Sequence, residues 1–507
     1  MLYSKIIESK NGFDVPLFAD NKPACSKYDP LREAENFASN IQEDTNFFVI
    51  AGIAAGYHIE SLLKKHSECK IIAFEDTNED LDFCLSIKNI QRLKAQKNII
   101  FATTKDIKKL ILENYLPSVY GNFAFLPLTS WKLEKEHSLV NIKNEIEETL
   151  KQIADDYSVQ CHFGKIWQRN IFLNLKSLDE NKNLTECNFY ADLEKTAAII
   201  AAGPSLDISI KEIINQKESY FIISTDTAYP LLLRYNITPQ VVISIDGQGI
   251  SKIHFIDTPF FDKNKENTFF LFDLCASHEA VNLLSKRNHK VHFFASSHPL
   301  NIFAEQYFSF PQINSSGGTV TISALDFAIQ CGFKKIKLYG ADFSYSNGKT
   351  YAKGTYLDRE FFNKSCRTNN IESLFTNLMF RTELKNDENE SIFYGKLKEK
   401  KVSVLLRNYE LNLFEFLNKN NCKVINKTII CSNKNSIQYS YYKQNFDYKK
   451  FFNDYKKQIS FLTLENPVVY TLLPYISWLK NKNKNKNKNL NFNELLKLAH
   501  DNALRYN

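Results

Sequence analysis

The chain has 507 residues, 44% of them hydrophobic and 24% charged, the balance of a folded protein with more than one core. The formal charge of +7 leans on one Lys-Asn repeat; without its five lysines (Lys480, Lys482, Lys484, Lys486 and Lys488) the balance is +2, which gives nucleic-acid binding little electrostatic support. No apolar run is long enough to span a bilayer, residues 1–10 carry no secretory core, and the ten cysteines form no Cys-x-x-Cys, so the sequence reads as a reduced, cytoplasmic chain with neither a zinc site nor a disulfide framework.

Residues 1–45 read as polar and irregular. Phe47 to Ala51 then predicts a buried strand, with a turn through Gly52 and Gly56, a helix to Lys65, and a second strand from Ile71 to Glu75. Such a β-α-β unit, with an acid closing its second strand, can bind a nucleotide or S-adenosylmethionine through the ribose hydroxyls. Ala54 and Ala55 stand where the dinucleotide fingerprint carries glycines, which favours a Rossmann-like domain without a cofactor. His58 reads as a capping or packed residue. From Leu133 to Leu178 the apolar spacing is helical, with Ile142, Ile146, Leu150 and Ile153 three or four residues apart, and predicts helices joining two α/β domains.

The second domain opens at Thr196 to Ala201, an uncharged run that reads as a strand buried on both faces. Gly203-Pro204-Ser205 stops it, and Ser205 or Asp207 is placed to cap the helix that follows. A strand, a glycine turn and a capped helix put backbone N–H groups at a sheet's carboxyl edge, where phosphates bind. Further strands are predicted at Tyr220 to Ser224, Val241 to Ile245, Lys290 to Phe294 and Lys335 to Tyr339. The second of these five strands is followed by Asp226 and the third by Asp246, and two acids on successive strands favour a site for ribose hydroxyls or a metal. Ser315-Ser316-Gly317-Gly318-Thr319 opens an apolar helix as a second anion cradle, without the lysine of a Walker loop. Asp342, Tyr345 and Tyr351 follow the last strand. Beyond Tyr356, residues 365–401 are polar, and helices are predicted at Val402 to Leu417, Tyr448 to Leu464, Val468 to Leu479 and Asn491 to Leu504. The expected division is an N-terminal Rossmann-like domain (1–130), a helical linker (131–190), a central α/β domain (191–365) and a mainly helical C-terminal region (366–507), with the repeat at 480–489 as a solvated linker. The fold class is α/β, two Rossmann-like domains with mostly parallel sheets.

The order Gly-Pro-Ser-Leu-Asp, Thr-Asp-Thr-Ala, Thr238-Pro239-Gln240 before Ser244-Ile245-Asp246, Ser-Ser-Gly-Gly-Thr and Tyr-Gly-Ala-Asp resembles the motility-associated factor (Maf) family of flagellin glycosyltransferases. Ser26-Lys27-Tyr28-Asp29-Pro30, Gly56-Tyr57-His58, and Phe163-Gly164 before Trp167, Asn170 and Asn174 resemble that family's amino-terminal half. The central domain is also similar in outline to bacterial sialyltransferases that use CMP-sialic acid, and to archaeal 6-hydroxymethylpterin diphosphokinases. The resemblance implies transfer of a CMP-activated nonulosonic acid, of pseudaminic or legionaminic type, to Ser or Thr of flagellin. Gly203, Pro204, Ser205, Asp226, Asp246, Ser315, Ser316, Gly317, Gly318 and Thr319 would hold the nucleotide; Tyr345, Tyr351 and Asp342 would serve the chemistry. No cofactor is required on this reading, and Mg²⁺ stays open, because the sialyltransferases carry asparagines where Asp226 and Asp246 stand. Their base is a histidine downstream of the tyrosines, and this chain has none between His298 and His500. Many Maf proteins show a histidine at the position of Tyr351. Asp342, Asp246 and His298 are the candidates for the base. Two other readings follow from the same residues: a Mg-dependent diphosphokinase, with Asp226 and Asp246 on the metal and ATP, and a flagellin-binding protein without catalysis.

Overall fold

A computed structural model of the chain describes every residue except 1, 40, 43, 181–186, 189–190, 259–267, 316, 390–392, 394–396, 398, 433–439, 442–445 and 485–489. It divides into two compact units, Met1–Gly164 with Leu473–Leu496, and Lys165–Leu472 with Lys497–Asn507. The division falls inside a single helix, Glu136–Glu180, which covers most of the stretch expected as a linker.

The first unit begins with an antiparallel pair, β1 (Tyr3–Glu8) and β2 (Asp14–Phe18), followed by the helix Pro30–Ser39. Regular structure here corrects the irregular reading of residues 1–45. The pairing is legible only in hindsight, because β1 buries few of its residues and its polar ones hide the alternation. A parallel sheet follows in the order β5-β4-β3-β6, from β3 (Thr45–Ala51), β4 (Lys70–Glu75), β5 (Ile99–Thr103) and β6 (Asn122–Pro127). The chain steps outward from β3 to β5 and then returns to the other side of β3. The switch point, where open α/β sheets bind ligands, therefore lies beyond the ends of β3 and β6.

The second unit carries an eight-stranded sheet. Its strands are β7 (Thr196–Ile200), β8 (Tyr220–Thr225), β9 (Val241–Ser244), β10 (Phe269–Asp273), β11 (Val291–Phe294), β12 (Lys335–Tyr339), β13 (Cys422–Ile425) and β14 (Thr428–Cys431). The spatial order is β11-β10-β9-β8-β7-β12-β14-β13; the first six are mutually parallel and the last two add an antiparallel edge. The buried faces of β7, β8 and β9 meet the apolar helix Val320–Cys331, which explains their near-continuous apolar runs. Here too the order reverses, between β7 and β12.

Two further expectations are corrected. The run Phe269–Asp273, unassigned from sequence, is a buried strand between β9 and β11. The C-terminal region is mainly helical, as expected, and adds one β element: β13 and β14 form a hairpin that extends the sheet, turned by Asn426 and Lys427 at φ 48° and 60°. Cys422 and Cys431 face one another in its register and are joined by a disulfide, against the reading of the chain as reduced. That pairing is invisible until the hairpin is recognised. Helices occupy Val404–Lys419, Tyr448–Ile459, Leu473–Lys484 and Phe492–Ala503, and a 3-10 turn takes Pro467–Leu472. The helix Leu473–Lys484 runs into the start of the Lys-Asn repeat, so those lysines are helical; residues 485–489 lie outside the described residues. Among the described residues no helix is long and apolar enough to cross a membrane.

Candidate functional site

In the second unit, the turns after β7 and β12 bind each other. Gly203 N donates to Gly340 O at 2.8 Å, and a Cβ on Gly203 would come 2.5 Å from that oxygen, so only glycine fits. Asp342 accepts the Ser205 N–H on Oδ2 at 2.6 Å and the Ser205 hydroxyl on Oδ1. Burial pushes the Asp342 carboxyl up to about 6, and the Ser205 bonds pull against it. Two sequence-named residues, Ser205 and Asp342, are thus brought together, with their donors and acceptors spent on one another. Ser205 makes no side-chain cap on the helix Leu206–Gln216. Nor does Asp207 serve as a cap: it accepts Lys349 Nζ at 3.0 Å and Lys353 N at 2.8 Å, while Ala352 N donates to Ala202 O at 2.8 Å. Those bonds fasten the loop that carries Tyr345 and Tyr351 onto the glycine turn.

The next strand ends supply the carboxylates. Asp226, after β8, is buried; Oδ1 accepts from Thr227 N at 2.7 Å and Oδ2 from Ser244 Oγ at 2.7 Å. Asp246, after β9, is partly exposed and accepts from Gln248 N at 3.0 Å and Ser251 Oγ at 2.6 Å. Burial raises the Asp246 carboxyl, the charge of Asp226 adds to the rise, and His254 opposes it. Asp273, at the end of β10, is a third strand-end acid that the sequence reading missed along with its strand. It is fully enclosed and accepts from Cys275 N at 2.8 Å and Ser296 Oγ at 3.1 Å, with the Ser315 side chain a further partner.

The segment after β12 brings two phenols, Tyr351 and Tyr356, within electrostatic reach of Asp226, the second also within reach of Asp246. Tyr351 is pushed upward chiefly by burial, then by Tyr356, Tyr345, Asp226 and Tyr409, which all lie within electrostatic reach of it. Its ring centroid is 6.3 Å from that of Tyr356. Burial also raises Tyr356, with Glu360, Asp246 and Asp226 acting in the same direction and Arg381 against them; Arg381 opposes the rise of Tyr345 as well. Tyr409, from the helix Val404–Lys419, packs on the second cradle, where a Cβ on Gly318 would come 2.6 Å from its ring. Asn412 Nδ2 reaches Gly317 O at 3.3 Å. Thr319 caps the helix Val320–Cys331 through its side chain. Ser316 lies outside the described residues. The cluster therefore joins Asp226, Asp246, Tyr345, Tyr351, Gly317 and Gly318 from the sequence reading with Tyr356, Tyr409 and Arg381. These three were missed as site residues, for they sit on helices or loops beyond the region where the motifs are dense.

Two histidines differ in their setting. His254, on the 3-10 helix Gly249–Phe255, is buried edge-on to Tyr356 with centroids 4.8 Å apart, and its Nδ1 has no partner among the described residues. It acts on Asp246 electrostatically. His298, a sequence candidate for the base, instead caps the helix Pro299–Ala304 through Nδ1 and lies edge-on to Trp167. Burial pushes it down to about 3, so it stays neutral at neutral pH. Beside it, Asn170 donates to Gly247 O at 2.8 Å and Cys275 O at 3.1 Å, and Asn174 to Leu274 O and Ala276 O, both at 3.0 Å. These two buried amides hold the turns after β9 and β10 and so fix where Asp246 and Asp273 stand.

The corresponding crevice of the first unit is filled from within. A Cβ on Gly52 would come 2.6 Å from the Cβ of Trp131, and the indole Nε1 donates to Glu75 Oε2 at 2.9 Å. Glu75 Oε1 accepts from Tyr3 Oη at 2.8 Å and Ile53 N at 2.6 Å. The acid that could have faced a ribose is wholly buried and carries the turn instead. His58, also buried, bonds Gly52 O at 3.1 Å.

Residues 169–348 match the family model for 6-hydroxymethylpterin diphosphokinase MptE-like proteins. An uncharacterized protein of Treponema pallidum (strain Nichols) is 30% identical over 237 residues, which cover 46% of this chain and 75% of that protein. A second from the same organism is 36% identical over 152 residues, covering 30% of this chain and 70% of that one. A solved Maf glycosyltransferase from Magnetospirillum magneticum AMB-1 has a similar fold, with a TM-score of 0.57 over 100% of this chain and 91% of that chain, at 11% identity.

Proposed function

We propose that the chain is a Maf-type glycosyltransferase whose donor is a CMP-activated nonulosonic acid and whose acceptor is a Ser or Thr hydroxyl of flagellin; the MptE-like match over residues 169–348 and the fold shared with a solved Maf glycosyltransferase support the reading. The observation that carries the reading is the cluster of Tyr345, Tyr351, Tyr356 and Tyr409 with Arg381, set where β8 and β9 end in Asp226 and Asp246. Breaking the sugar–phosphate bond leaves charge on the nucleotide phosphate. Phenolic O–H groups and a guanidinium aimed there strengthen as that charge grows, which is what lowers a barrier. Asp226 and Asp246 suit the ribose hydroxyls. The attacking hydroxyl must lose a proton. Asp342 is tied to Ser205 and His298 caps a helix, so His254, which acts on Asp246 electrostatically, whose ring lies edge-on to Tyr356 and whose buried Nδ1 has no partner among the described residues, is our assignment for the base.

The matched family model favours one second reading, a diphosphokinase in which the same two aspartates hold Mg²⁺ and ATP. Ligand-induced thermal stabilisation separates the two: CMP with EDTA present should stabilise the transferase, whereas the kinase needs ATP with Mg²⁺. The decisive experiment is the intact mass of flagellin from cells with and without this protein. An unchanged flagellin mass on deletion would overturn the acceptor.

A further inference from the structure

In the first unit a cavity of about 430 Å³ opens where the short helix Pro117–Tyr120 and β6 meet the helices Glu136–Glu180 and Leu473–Lys484. Its volume is in the range of small-molecule sites. Tyr115, Phe123 and Tyr157 give it aromatic walls, and Leu150 and Ile153 an aliphatic one. Tyr115 is fixed by its bond to Gly121 O at 2.9 Å, so that wall is preset.

One cation lines the cavity, Lys480, the first lysine of the Lys-Asn repeat. Its Nζ reaches only the Pro117 carbonyl, at 3.4 Å, and it forms no ion pair among the described residues. Burial pushes its ammonium down, which means that its charge is poorly solvated where it stands. Cys161 and then Asp44 act on it, but Cys161 is a thiol that burial holds in its neutral form, and Asp44 is exposed and spends Oδ2 on Asn122 Nδ2 at 2.7 Å. A half-desolvated cation at the edge of an aromatic cleft is a costly arrangement unless an anion completes it.

We propose that this cavity binds a small aromatic anion, with a flat ring system between the tyrosines and a carboxylate, sulfonate or phosphate on Lys480. The site is separate from the strand-end cluster of the second unit and does not depend on the transferase reading. The anionic head supplies the counter-charge that Lys480 lacks. The ring body covers apolar surface, at about 25 cal/mol per Å² of area removed from water.

Two fluorescent probes with the same body test it: 1-anilinonaphthalene-8-sulfonate, which is anionic, and N-phenyl-1-naphthylamine, which is neutral. The native full chain should bind the sulfonate at one site, at least tenfold tighter than the neutral probe. Lys480→Met should remove that preference. Ala154→Trp, at an exposed lining position, should block both probes. Both variants are checked for a wild-type unfolding midpoint; should either fail to fold, the comparison of the two probes on the wild type decides. Equal affinities on the wild type, a preference that survives Lys480→Met, or binding that survives Ala154→Trp would each overturn the proposal.

Discussion

Replacing Glu75 by Gln is expected to expose a pH dependence that the first unit conceals. Burial pushes the Glu75 carboxyl from 4.5 up to about 7, against three hydrogen bonds that favour the anion. Between about pH 4.5 and 7 the folded chain therefore holds a proton that the unfolded chain has released, and raising the pH across that window removes stability. At about 1.4 kcal/mol per tenfold change in proton affinity, the loss is ~3 kcal/mol. His58 works in the opposite sense. Burial pushes it from 6.5 down to about 4, so lowering the pH across that window removes a similar amount, because only the unfolded chain takes up the proton. The two slopes overlap and oppose one another between about pH 4.5 and 6.5. Gln carries no titrating proton. Its oxygen can still accept from Tyr3 and Ile53, but its amide meets the Trp131 N–H donor to donor, a pH-independent cost of about 1–3 kcal/mol. The variant should thus be less stable than the wild type at pH 4.5 and gain ~3 kcal/mol relative to it by pH 7. Hydrogen exchange of the β3 and β4 amides, measured on both proteins at each pH, isolates this unit from the rest of the chain. A difference between the two proteins that does not change with pH would refute the buried, raised carboxyl.

Tyr351→Phe should lower flagellin modification on the order of 10²-fold while CMP affinity changes little, because the hydroxyl is used most in the transition state; wild-type turnover would remove it from the mechanism. His254→Ala should abolish turnover, and added imidazole should restore part of it. Loss without rescue, together with weakened CMP binding, would make His254 a packing residue. Asn170→Ala strips the Gly247 and Cys275 carbonyls of their donor and should cost about 1–3 kcal/mol in the second unit; an unchanged unfolding midpoint would count against its role in holding those turns.

What was legible in the sequence had a one-dimensional signal. Thr196–Ile200 and Lys335–Tyr339 are short runs between breakers, and the Gly-Pro-Ser and Ser-Ser-Gly-Gly turns announce strand or helix boundaries by composition. The edge hairpin Cys422–Cys431 gave no such signal, since its turn is Asn-Lys rather than Asn-Gly and its disulfide follows from register. Within the candidate site, Asp226 and Asp246 could be read from spacing, whereas Asp273 could not, because its strand was unassigned. Tyr356, Tyr409, Arg381 and His254 could not, because each reaches the cluster from a different element and only the fold brings them together. Ser205 and Asp342 could be named from the sequence, yet spacing could not reveal that they bond each other across 137 residues.

Both units place a switch point beside their first parallel strand, and neither leaves it open. In the first, the Trp131 indole stands over Gly52 and binds Glu75, so the position of a dinucleotide's pyrophosphate is taken by the protein itself. In the second, Gly203, Ser205, Gly340 and Asp342 lace the ends of β7 and β12 together. The rule that ligands bind at the switch point would therefore aim at filled space in either unit. In the second unit the unsatisfied chemistry lies one and two strands away, beyond β8 and β9. There Asp246 remains partly exposed, the buried His254 Nδ1 has no partner among the described residues, and Asp207, two residues after Ser205, holds the tyrosine loop in place. Closing the switch point makes the Gly-Pro-Ser turn a rigid base for the loop, and the loop carries Tyr351 within electrostatic reach of Asp226; on the proposed transferase reading its hydroxyl is a preorganised donor for a leaving phosphate.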